Sequence, residues 1–173
     1  MINFLNNLIK RKHIILMSYG TILLILSYMP ALAQEQPPKP ITVTVSTLQQ
    51  LSFGTFIQSG AYGTVTVTPQ GVRSSTGSVI LPNISATTTP ALFDVEAIPG
   101  TIINISNGVD ATLSGGITGL LTLQIGDSYP QSPFVATGNH TLVTIGGTLI
   151  VGDLGANPSG DYSGSFSVTF IQQ

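Results

Sequence analysis

From Tyr162 to Phe170, apolar and hydroxyl residues alternate without a break. Tyr162, Gly164, Phe166, Val168 and Phe170 fall on one side, and Ser163, Ser165, Ser167 and Thr169 on the other. Successive side chains of a strand point to opposite faces, so the pattern predicts a strand with an apolar face on a core and a hydroxyl face outside. Asn157-Pro158-Ser159-Gly160 ahead of it reads as a turn, with proline fixing φ and glycine free to take a positive one. Ile41 to Ser46 alternates β-branched apolar and hydroxyl residues in the same way and predicts a second strand with one buried face.

Between these two stretches the pattern is a succession of short strands. Leu48 to Ile57 is apolar, and Gly54 inside it predicts a bulge or a close backbone approach. Tyr62 to Thr68 puts Val65 and Val67 on one face and ends at Pro69-Gln70-Gly71. Arg73 to Gly77 reads as polar loop ahead of a strand over 78–81, and Asn83 to Pro90 as a connection. Ala91 to Ala97 places Phe93, Val95 and Ala97 together. Pro99-Gly100 turns into a strand over 101–106, and Asn107-Gly108 predicts a hairpin returning through Asp110 to Ser114. Leu120 to Ile125 and Leu142 to Val151 are further strands, the latter divided in two by Gly146-Gly147. Turn signals recur about every 8 to 12 residues and no long segment has a 3.6-residue period, so the chain reads as all-β, a sandwich or barrel.

The N-terminal residues follow a different pattern. A basic cluster, Lys10-Arg11-Lys12, precedes an apolar run from Ile14 to Met29, and Pro30 leads into Ala31-Leu32-Ala33. That order is a secretory signal peptide over residues 1–33, with cleavage expected before Gln34. As a membrane anchor the run is short of the ~20 apolar residues a spanning helix needs, and Ser18, Tyr19, Gly20 and Ser27 interrupt it. Residues 34–40, QEQPPKP, favour polyproline II and read as a tether, leaving 41–173 as one domain.

Composition narrows the functions open to such a domain. Charged residues make up 7% of the chain, against roughly 25% in an average soluble protein. The polar surface must then come from Ser, Thr, Asn and Gln, as in many extracellular β proteins. Beyond residue 33, Lys39 and Arg73 stand against seven acids, a formal charge of −5, so nucleic acid is a poor partner. Cysteine is absent, which leaves stability to packing and strand pairing.

Candidate chemistry is sparse. His140 is the one histidine beyond the signal peptide and sits in a turn between Asn139 and Thr141. No G-x-S-x-G string occurs, and Gly160-Asp161-Tyr162-Ser163-Gly164 puts its serine inside a strand pattern. Asp94 and Glu96 share a strand face about 7 Å apart, a spacing open to a carboxylate couple or a Ca²⁺ site but also to a solvated face. Asp153 and Asp161 flank the loop LGANPSG with no dense oxygen-ligand pattern. We therefore expect no enzyme, no metal and no small-molecule cofactor.

Two ends of the chain resemble something specific. Ile41 to Val45, and Gly160-Asp161-Tyr162-Ser163-Gly164 before the last strand, resemble the major subunits of Cys-free bacterial fimbriae of the alternate chaperone–usher class. The chain is also similar to the secreted bacterial family catalogued as domain of unknown function 4402. It matches there through Leu51-Ser52-Phe53-Gly54-Thr55, the G-G-T-L-x-V stretch from Gly146 to Val151, and G-x-Y-S-G-x-F-x-V from Gly160 to Val168. The fimbrial resemblance implies an immunoglobulin-like, pilin-like β-sandwich lacking one strand, which a neighbouring subunit supplies by strand addition. It implies residues 41–47 as donor strand, with Ile41, Val43 and Val45 as donor side chains. Gly160, Tyr162, Gly164, Phe166, Val168 and Phe170 would form the C-terminal strand beside the groove. It further implies a periplasmic chaperone, an usher and other fimbrial subunits as partners. Gln172 departs from the penultimate aromatic of the pilin C-terminal motif. Read on its own, Ile41 to Val45 fits equally a first strand paired within its own domain.

The expectation is thus an exported structural or adhesive subunit of a fimbria on the surface of a Gram-negative cell. The alternative is a monomeric secreted or surface-bound β-sandwich that binds glycan or matrix. An outer-membrane barrel fits the alternation but not the sparse aromatics or the terminal Ile171-Gln172-Gln173.

Overall fold

The computed structural model describes residues 41–45, 49–83, 87–115 and 118–173, without the side chains of 43–45. The expected signal peptide and tether, and the side chains of Val43 and Val45, lie outside the described residues. Eleven strands follow in order: β1 (Thr42–Val45), β2 (Ile57–Val67), β3 (Arg73–Ile80), β4 (Ala91–Glu96), β5 (Ile102–Asn107), β6 (Ala111–Gly115), β7 (Gly119–Tyr129), β8 (Phe134–Val135), β9 (His140–Val151), β10 (Tyr162–Ser163) and β11 (Val168–Gln172). They form an eight-stranded sheet ordered β1-β4-β9-β7-β6-β10, with β2 and β3 branching from β9, and a three-stranded sheet ordered β11-β5-β8. Every pairing is antiparallel. The two sheets pack on each other, so the fold is an all-β sandwich.

The large sheet is built on β9. Its odd-numbered residues Val143, Ile145, Leu149 and Val151 are buried on one face. Along one flank runs β7; the other flank is shared end to end by β4, against His140–Ile145, and β2, against Gly147–Val151. The change of neighbour falls at Gly146-Gly147. Sequence alone suggested that these glycines divide the strand, but β9 runs on through them, and only its ladders change over at Gly146. A side chain on Gly146 would strike the Val67 carbonyl oxygen where β2 ends, and one on Gly147 would come within 2.9 Å of a Leu123 methyl. Opposite them β7 carries a bulge between Ile125 and Ser128, which bends the sheet at the same place.

Other departures from the sequence pattern have equally local causes. Arg73 to Gly77, expected as loop, begins β3. Its hydroxyl residues make ladder partners, and Thr76 Oγ1 lies 2.7 Å from Thr64 Oγ1 across the pair. Asn107-Gly108 does not make a hairpin, because β5 and β6 belong to different sheets. The Asn107 amide instead donates to the Gly126 carbonyl at the β7 bulge, and Gly108 N–H donates to Ser167 O. The alternating C-terminal stretch keeps its two faces but not its continuity. It pairs with β6 as β10, crosses at residues 164–167, and joins β5 as β11. A strand that switches sheets in this way makes a corner of the sandwich.

The buried face divides at the glycine pair into two clusters. One comprises Phe93, Val95, Ile103, Phe134, Val143 and Ile145 with their neighbours, and the small sheet covers it with Ile105, Val168 and Phe170. The other comprises Phe53, Val65, Val67, Val79, Leu121, Leu123, Leu149 and Val151. Among the described residues, no strand of the small sheet reaches this second cluster. It is covered by Leu51, Phe56, Leu113, Tyr162 and Phe166, largely from irregular segments. Leu51 and Phe166 pack against both.

Candidate functional site

Where the small sheet stops, a cavity of about 1150 Å³ opens above the second cluster. Leu121, Leu123, Leu149 and Val151 lie beneath it, buried under the side chains that cover the cluster. One wall is the segment from Gln49 to Gln58, and the other runs from Asn157 to Val168. The space is partly open to the surface.

Both walls are pinned. Ser52 exchanges backbone hydrogen bonds with Thr89, and the Thr89 hydroxyl donates to Gln50 O at 2.6 Å. Gly54 adopts φ 64°, a left-handed value that favours glycine and lets the wall turn after Phe53. Arg73 at the start of β3 donates through Nη2 to Thr55 O, and burial of the guanidinium lowers its pKa from the ordinary value. The opposite wall depends on Asn157, a buried polar residue. Its amide nitrogen donates to Leu120 O on β7 and its amide oxygen accepts from Gly152 N–H. Asp153 caps the same turn, its carboxylate accepting from Ala156 N–H at 2.8 Å and its carbonyl from Asn157 N–H at 2.8 Å. Tyr162 closes the turn by donating its hydroxyl to Pro158 O at 2.6 Å, four residues upstream, in the manner of the tyrosine corner of Greek-key sandwiches.

The residues singled out in the sequence fall into two places. Gly160, Tyr162, Gly164, Phe166 and Val168 all line the cavity. Phe170 lies beyond it, packed on Phe93. Gly164 passes so close to β6 that an added Cβ would meet Thr112 O at 2.6 Å. Ile41 is half-buried against the other cluster, and β1 pairs with β4 of the same chain in the register Thr42↔Glu96 to Val45↔Phe93. β1 lies at an end of the large sheet and, among the described residues, has this one neighbour. The sequence pattern did not link Leu51, Phe53 and Phe56 to the C-terminal wall. The signal was there in Leu51 to Thr55, a segment with strand-like apolarity but no sustained alternation.

His140, expected in a loop, is the first residue of β9 and exposed; its Nδ1 lies 3.1 Å from Asp94 Oδ2 on β4. Asp94 and Glu96 do share a face, half-buried between Phe93, Val95 and Ala97. Among the described residues, no three His, Cys, Asp or Glu side chains are grouped to hold a metal ion.

A family model described as Domain of unknown function (DUF4402) matches residues 43–171. No curated protein and no solved structure matches the chain.

Proposed function

Because the chain belongs to the family of domain of unknown function 4402, a description that assigns no chemistry, we propose its role from its sheet edge: an exported structural subunit of a bacterial surface fibre, assembled by β-strand addition. The observation that carries this is the position of β1. It is short, terminal to the described domain, and hydrogen-bonded on one flank to β4. The same register can be offered to β4 of a neighbouring copy, with Ile41 seated in the neighbour's core, and exchange of an identical element is a low-cost route to assembly. The Pro-rich residues 34–40 ahead of β1 would supply reach between copies. Partners are then other copies or related subunits, with a periplasmic chaperone and usher, and the place of action is the surface of a Gram-negative cell. The test is deletion of residues 34–47, with polymer length read by size exclusion and electron microscopy. Monomers are expected, and a deleted chain that still polymerises normally overturns the proposal.

A second reading, a monomeric surface-bound or secreted binding module, draws support from two observations. β1 is satisfied within its own chain, and the cavity is large enough for a guest. Solution state separates the two: laddered multimers favour the fibre, a lasting monomer the binding module.

A further inference from the structure

We infer that the free flank of β11 is a contact between copies of this chain: two β11 strands pair antiparallel about a two-fold axis at Ile171 and join two three-stranded sheets into one. β11 ends the small sheet, and among the described residues its one strand neighbour is β5. Gln173 N–H donates to Ile102 O, and Ser167 O accepts from Gly108 N–H. Backbone groups along an antiparallel strand alternate between its flanks, so the odd-numbered residues here bond to β5 and the even-numbered ones turn outward. Phe170 and Gln172 thus present their N–H and C=O groups along an open edge, clear of the cavity that Val168 lines. Such an edge is a template for another strand unless a charge, a proline or a bulge blunts it. None does: β5, β8 and β11 contain no charged residue and no proline, and the register of β11 on β5 runs without a shift. The other edges differ, for β3 begins with Arg73 and its ladder is interrupted by a bulge, while β8 and β10 have two residues each.

The occupant is a second copy because the edge is its own complement. With Phe170 opposite Gln172 of the second copy, and the reverse, each pair exchanges both of its hydrogen bonds and every outward group of these residues is satisfied. The same register sets Ile171 directly against Ile171 of the second copy, in the kind of pair where side chains come closest. Ile171 is 44% exposed and shares the outer face of the small sheet with exposed Ile102 and its register partner Val135. A single strand pair falls at the low end of protein interfaces, below about 1,200 Å². The contact is therefore weak and concentration-dependent, and it strengthens where copies are already held close. It belongs to the small sheet and does not depend on whether β1 is exchanged.

Single-cysteine variants test the inference, since the chain has no cysteine of its own. Across the axis the two Cα atoms of residue 171 stand about 4.5 Å apart, within reach of a disulfide. Those of residue 169 stand about 14 Å apart, four residues out of register at ~3.4 Å each. In concentrated purified protein, with copper phenanthroline as oxidant, Ile171→Cys is expected to form a disulfide-linked dimer at least tenfold faster than Thr169→Cys. Adding Gln172→Pro, which removes an outward N–H and no bond to β5, is expected to slow that reaction at least tenfold in a protein that melts as its parent does. Ile171→Lys sets like charges across the axis and is expected to raise the dimer dissociation constant at least tenfold by sedimentation equilibrium; it serves if the proline variant does not fold. An excess of a peptide of residues 41–47 is expected to leave the cross-link in place. Equal oxidation at 169 and 171, loss of the cross-link to the peptide, or unchanged pairing in the folded edge variants overturns the inference. Multimers built through β1 are untouched by these results and are judged by the deletion of residues 34–47.

Discussion

The rings of Phe93 and Phe170 pack with centroids 5.5 Å apart and planes inclined at 57°, and this contact joins β4 of the large sheet to β11 of the small one. The tilted arrangement sets the positive edge of one ring toward the negative face of the other, which adds to the area both bury. Phe170→Ala should therefore lower stability to urea by about 2–4 kcal/mol, somewhat under the range for a fully buried phenylalanine because Phe170 is half-buried. Phe170→Leu should recover more than half of that loss.

Asn157→Ala leaves the Leu120 carbonyl and the Gly152 N–H without their partner under the cavity wall. An unsatisfied buried group costs about 1–3 kcal/mol, so the variant should melt several degrees lower. Amide exchange at Gly152 should quicken more than at β4 or β5. Uniform quickening across both sheets would show that the turn is not a local lock.

At Gly146 the neighbouring backbone leaves no room for a side chain. Gly146→Val should cost at least ~2 kcal/mol by overpacking, and refolding yield should fall with it. Gly138→Ala, whose Cβ would meet nothing closer than 3.7 Å, is the control and should stay near the parent. A tolerant Gly146 would mean that β2 and β4 do not abut there.

Cysteines at positions 44 and 94 should oxidise, because Thr44 and Asp94 are register partners across β1 and β4. Under the fibre proposal, non-reducing gels of assembled material should show ladders that reductant collapses. Bands at monomer size alone, from material that polymerises, would place the exchange at some other edge.

Much of the fold was legible because its inner and outer faces are chemically so different. Phe93, Val95 and Ala97 are buried, as their alternation with Leu92, Asp94 and Glu96 required. Tyr162, Phe166, Val168 and Phe170 face inward while their serine and threonine neighbours are exposed. Alternation reports which face a residue is on; it says nothing about which sheet. So the passage of residues 164–167 from β6 to β5, and the separation of β5 from β6 at Asn107-Gly108, were hidden. Both depend on partners far along the chain. Glycine carried the same ambiguity. Gly146-Gly147 reads as a break, yet it is the point where two strands meet end to end and their backbones need the space. The cavity was illegible for a further reason: it arises where coverage by the small sheet ends, and no local pattern encodes the width of a sheet.

The sheet-switching stretch also has a bearing on timing. Phe166 touches both clusters and Phe170 seals the one beneath the small sheet, but their partners on β4, β6 and β9 are made earlier in synthesis. A growing chain that has not yet reached residue 166 lacks the side chain that ties the two clusters together, and β5 lacks its β11 neighbour. Contacts between residues so far apart in sequence form slowly. The domain would thus stay open, with apolar surface uncovered, until nearly all of it has been made, a state prone to aggregation.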